Sequence, residues 1–161
     1  MQRQVLKSIR VLLSCALTAC VLTAALSCAT APPAPAEEDV RGVTELAAAG
    51  ETEILTAQSH VPFLFDGEIL GRGQDVAEMW RLIVGAGVFE AETTLGALSG
   101  VGPGSYRLFA DSKQVELFFS KYVSENASTA VVETPAATVI LLLDGRSEGY
   151  SRIAGMRVDV R

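Results

Sequence analysis

Beyond residue 28 the chain has no cysteine: Cys15, Cys20 and Cys28, the only three among 161 residues, all stand near its start. A disulfide framework is therefore excluded for the rest, whose stability has to come from a packed core. Histidine is scarcer still, with His60 alone. One imidazole and scattered acids do not supply the usual ligands of a zinc or redox site, and no alternation of acids around a glycine marks a calcium loop. Neither a metal nor a cofactor is expected. Basic residues are outnumbered, 13 against 19 acidic ones, which argues against nucleic acid as a partner. Aromatics are only 6% of the residues, so few that a domain of this size needs nearly all of them inside. The apolar run at 11–27 holds 17 residues, short of the roughly 20 that span a bilayer comfortably.

What precedes and follows that run is informative. "MQRQVLKSIR" carries Arg3, Lys7 and Arg10 and no acid, and "VLLSCALTACVLTAALS" then carries no charge. A basic stub before an apolar run is the layout of a secretory signal. Pro32, Pro33 and Pro35 in "ATAPPAPAEED" bar continuation of a helix. Ala29-Thr30-Ala31 suits an ordinary signal peptidase but puts Pro32 directly after the cut, an unfavourable place.

The segment Ala25-Leu26-Ser27-Cys28 resembles the lipidation box of bacterial lipoproteins, with Leu26 one place later than usual, a looseness found in spirochaete members. In that class the cysteine is lipidated on sulfur and becomes the first residue of the finished chain. Leu17-Thr18-Ala19-Cys20 fits the pattern more closely. Cleavage there would leave "VLTAALS" as an apolar start and about six uncharged residues before the box, below the 7–15 of such signals. Cys28 is the expected lipidation site and Cys20 the alternative. The resemblance covers about the first 30 residues. It implies a signal peptide at 1–27, a palmitate-type anchor in the cell membrane or outer membrane, and a domain facing the periplasm or cell surface. Its partners would be the membrane, through the lipid, and other envelope proteins. Without residues 1–27 the chain has 10 basic and 19 acidic residues, a net charge of −9.

Residues 28–50 read as the lipidated start and a Pro/Ala/acid-rich tether, and 51–161 as a single domain. "HVPFLFDGEILG" predicts two short strands, 61–65 and 68–71, joined by a type I′ turn at Asp66-Gly67. Val76, Met79, Trp80 and Ile83 stand at i, i+3, i+4, i+7, a helix stripe. Asp75 with Glu78 resembles its capping box, and Gly85 or Gly87 ends it. "VFEAETTLGAL" alternates like a strand, with Glu90 and Glu92 on one face. "DSKQVELFFSKYV" reads as a helix with Val115, Phe118, Phe119 and Tyr122 on one side, started by Asp111 and Gln114, in preference to a strand, in which Val115, Leu117 and Phe119 would share a face and Lys121 would break the pattern. "STAVVET" and "TVILLLD" read as strands, the second apolar enough to be buried on both sides. Asp144-Gly145 should open a loop, and "YSRIAGMRVDV" should alternate with Tyr150, Ala154, Met156, Val158 and Val160 on one face. The expected fold is α+β, a mostly antiparallel sheet with two helices packed on one face.

Residues for chemistry are few. A Ser-His-Asp set would have to use His60, near Ser59 and Asp66, and no nucleophile-elbow motif accompanies it; a solvated loop histidine is the simpler reading. "GAG", "GRG" and "GVGPG" lack the Lys-Ser/Thr or the strand-helix setting of phosphate loops and read as turns. The expected function is therefore non-enzymatic: a binding or assembly domain on a lipid anchor. Its partner surface is sought at Leu117, Phe118, Phe119 and Trp80, because Leu117 lies off the helix stripe and the Phe118-Phe119 pair widens it. The alternative is an apolar-ligand or lipid pocket between sheet and helices, with binding or hydrolysis as its role and with His60, Glu90, Glu92 or Arg107 turned inward.

Overall fold

The computed structural model describes residues 34–90, 92–147 and 150–161; the signal peptide expected at 1–27, Cys20 and Cys28 lie outside the described residues. The first described element is a helix, α1 (Glu37–Ala48), followed by α2 (Thr52–Gln58). In α1, Val40, Val43, Thr44 and Ala47 are buried at i, i+3, i+4, i+7. The Asp39 carboxylate accepts the backbone N–H of Ala36 at 2.6 Å, closing the helix start. The tether expected to reach residue 50 is thus shorter, because this apolar stripe belongs to the core.

Strand β1 (Ser59–Phe65) turns back into β2 (Glu68–Leu70). Asp66 and Gly67 both have positive φ, 47° and 85°, and Phe65 faces Glu68 across the turn. This is the two-residue type I′ hairpin read from Asp-Gly. Helix α3 (Gly73–Gly85) buries Val76, Met79, Trp80 and Ile83, as its spacing predicts. Its start differs. Arg72 is the cap residue, and Asp75 accepts two hydrogen bonds from the Arg72 guanidinium at 2.9 and 2.8 Å instead of capping backbone N–H groups. Glu78 pairs with Arg81. Gly87, at φ 70°, lies just past the helix end.

Strand β3 (Thr94–Gly100) begins after Glu90 and Glu92, which lie in the irregular stretch before it and not on a strand face. A 3-10 turn, Ser105–Leu108, leads to α4 (Lys113–Tyr122). Ser112, not Asp111, caps α4, its Oγ accepting the Val115 N–H at 3.3 Å. Then come β4 (Ser128–Glu133), β5 (Ala137–Ser147) and β6 (Tyr150–Val160).

The strands form one six-stranded sheet in the order β2-β1-β6-β5-β4-β3, antiparallel except for the β1–β6 pair. The fold is α+β. Alternation along β5 decides the layers: Val139, Leu141 and Leu143 join one core cluster, Ile140 and Leu142 another. α1, α2 and α3 cover the first face; Val115 and Phe118 of α4, with Phe109, cover the second. The two helices expected on one face therefore sit on opposite faces. A sheet apolar on both sides requires cover on both.

Two further expectations change. Asp144-Gly145 opens no loop; β5 runs on through it with a register shift between Asp144 and Arg146. Along β6 the pairing shifts between Ile153 and Gly155. Ile153 and Met156 consequently share one cluster, while Ala154 falls in the other. One extra residue flips the facing of everything beyond it, which breaks the simple alternation.

Candidate functional site

His60 lies at the start of β1, half-buried, with Nε2 3.9 Å from Asp144 Oδ2. Asp144 Oδ1 accepts the hydroxyl of Ser124, just past α4, and the backbone N–H of Gly145 at 2.7 Å. Burial pushes the His60 pKa down; Asp144 opposes this and Arg152 adds to it. A serine, a histidine and an aspartate do meet here, and sequence spacing did not bring Ser124 or Asp144 forward. Their order is what matters. A Ser-His-Asp triad places imidazole between hydroxyl and carboxylate, whereas here the carboxylate takes the serine hydroxyl's hydrogen bond directly. The arrangement ties the end of α4 to β5. The base that Ser124 meets is a carboxylate and not the imidazole.

The expected partner surface separates into inside and outside. Trp80 is fully buried, with Nε1–H donating to Ser59 Oγ at 2.9 Å while Ser59 Oγ donates to the Leu55 carbonyl at 2.8 Å. Phe118 is buried beneath α4 against Phe119 and Tyr122, with ring centroids 6.3 and 5.5 Å away. Neither side chain can form an accessible surface, because each faces the sheet from its helix. Phe119 is half-buried against Phe109 at 5.7 Å. Leu117 is 55% exposed, on the outer side of α4.

Residues proposed to face a pocket are also spread apart. Arg107 is exposed, 3.6 Å from Asp111 and stacked over Tyr106. Glu90 and Glu92 line a groove of about 400 Å³ with Thr44, Glu45 and Thr93. This groove meets a second, of about 240 Å³, through the shared Thr44 and Thr93. Val40, Leu95 and Val132 form the apolar part of the second groove, and Glu37 and Arg41 stand on its α1 side. The smaller groove lies between α1 and the sheet at Leu95 of β3 and Val132 of β4, and the larger lies between α1 and the 89–93 segment that leads into β3. The Val40-Val43-Ala47 spacing of α1 was the sequence signal that could have located this wall.

Among the described residues no three His, Cys, Asp or Glu side chains gather as a metal site, and no helix is long and apolar enough to cross a membrane. Comparison with protein-family models, with curated proteins and with solved structures finds no match.

Proposed function

We propose that this chain is an exported lipoprotein, acylated at Cys28 with Cys20 as the alternative, whose domain acts by binding at the cell envelope and not by catalysis. The leader and its cysteines support export and anchoring. The observation that carries the non-catalytic reading is Asp144 standing between Ser124 and His60, where it engages the hydroxyl that the sole imidazole would have to activate. The early start of α1 supports a close anchor. Eight residues lie between Cys28 and Glu37, a maximum reach of roughly 30 Å. The domain would sit close to the bilayer surface, held by acyl chains whose buried CH₂ groups contribute about 0.8 kcal/mol each.

An apolar-ligand pocket is the second reading. The part of the groove with an apolar floor has about 240 Å³, below the roughly 300–1,000 Å³ of small-molecule sites, and its continuation is lined by glutamates. Size and charge favour a macromolecular partner.

Intact mass of the protein from its native membrane tests the anchor. The expected species begins at Cys28 and carries acyl mass. A species retaining Arg3, Lys7 and Arg10, or one released from the membrane by salt without detergent, refutes it.

A further inference from the structure

β3 is an edge strand, paired on one side only by β4. Its seven residues, Thr94–Gly100, include no charge and no proline, the features that usually discourage pairing with another chain. Five of them are exposed, and Leu95 and Leu98 are only partly covered. Val101 N–H bonds the Ala127 carbonyl directly opposite. Antiparallel alternation from that pair turns Ser99 towards β4 and turns Leu98 and Gly100 outwards, with their N–H and C=O groups unpaired in the sheet. A bulge at Gly96 bends the strand near its start without interrupting the 97–100 stretch.

Next to the start of this edge, at Thr93 and Leu95, the two adjoining grooves run along α1. Glu37, Glu45, Glu90 and Glu92 line it against one base, Arg41. None of the four acids forms an ion pair among the described residues. An open backbone edge flanked by a side-chain groove is the geometry of strand addition, in which main-chain hydrogen bonds supply affinity and alternate side chains supply selectivity.

We infer that the β3 edge and the α1 groove together dock an extended, basic segment of a partner protein, added as a seventh strand with alternate Lys or Arg side chains reaching the four glutamates. This deepens the binding-module reading and rests on it. Charge selects the occupant. A second copy brings a chain of the same negative net charge, −6, to a groove lined by four glutamates, which charge complementarity disfavours, whereas a basic strand neutralises those acids.

The test uses the full chain in detergent micelles and fluorescent eight-residue peptides followed by anisotropy. An alternating Lys-Val peptide should bind at least tenfold more tightly than a Glu-Val peptide. Methylating alternate amide nitrogens of the Lys-Val peptide should weaken binding at least tenfold, as should Gly100→Pro, which removes an outward N–H where an added Cβ meets nothing within 4 Å. Combined Glu37→Gln, Glu90→Gln and Glu92→Gln should weaken it about tenfold while leaving the circular dichroism unchanged. Equal binding of methylated and plain peptides overturns strand addition, using unaltered protein. Equal binding of Lys-Val and Glu-Val peptides overturns the charge assignment. A dimer that Gly100→Pro dissolves makes a second copy the occupant and also overturns the proposal. Crosslinking to an envelope protein through Leu117, with no peptide binding, would refute the edge while leaving a binding module in place.

Discussion

Gly155→Ala tests the closest approach in the sheet. Gly155 faces Leu64 where β6 and β1 run parallel. A Cβ added there would lie 2.9 Å from the Leu64 carbonyl oxygen and 3.0 Å from Leu64 Cβ. Backbone oxygen cannot rotate aside as a flexible side chain can, so one strand has to shift. Overpacking of this kind costs roughly 1–3 kcal/mol, and the loss of unfolded-chain freedom on replacing glycine returns about 0.4–1 kcal/mol. The expected net loss is about 1–2 kcal/mol, some 3–8 °C in Tm for a domain of this size. Gly42→Ala is the control, because Gly42 lies inside α1 with nothing within 4 Å of its added Cβ. That change should stabilise by about 0.5–1 kcal/mol. Urea unfolding followed by circular dichroism reads both, at constant m-value. If Gly155→Ala matches or exceeds the parent in midpoint, the β1–β6 contact is not the tight one described, and the parallel pairing has to be redrawn.

Two other predictions concern residues singled out above. His60 has a folded-state pKa below its ordinary value, chiefly through burial, so the unfolded chain takes up its proton first as pH falls. Its contribution to stability should be complete above about pH 6.5, the ordinary histidine value, and decline as pH drops through that value towards the folded pKa. His60→Gln should flatten the stability-against-pH curve between pH 7 and 5; an unchanged slope would show that the ring titrates alike in both states. On α4, Leu117→Ser should change stability by less than about 0.5 kcal/mol, whereas Phe118→Ala should cost about 3–5 kcal/mol. Equal costs in a urea titration would reverse the assignment of inner and outer faces.

Several local features could be read directly because short-range chemistry determines them. Asp66-Gly67 makes its hairpin because both positions need positive φ, and a glycine beside an aspartate meets that need cheaply. The α3 stripe and the doubly apolar β5 follow from periods of 3.6 and 2 residues. The second Asp-Gly, at 144–145, has the same local chemistry as the first and makes no turn. There Asp144 and Arg146 pair with Arg152 and Ser151 of β6, Gly145 is taken up as a bulge with its N–H on Asp144 Oδ1, and long-range strand pairing overrides a local preference.

Other features arise only when the chain closes on itself. No spacing rule joins His60, Ser124 and Asp144, which come from β1, the end of α4 and β5. The order in which they meet, carboxylate in the middle, depends on register. Likewise, the bulge in β6 decides which side each residue faces, and the strand order leaves β3 at an edge beside α1. From the sequence alone come the basic first ten residues, the apolar run at 11–27 and the placing of Cys28 after it, together with the turn and helix periods, because a few neighbouring residues contain all the physics involved. Which faces are covered, which edge stays open and which charges border it belong to the tertiary structure, because each depends on residues brought together from distant parts of the chain.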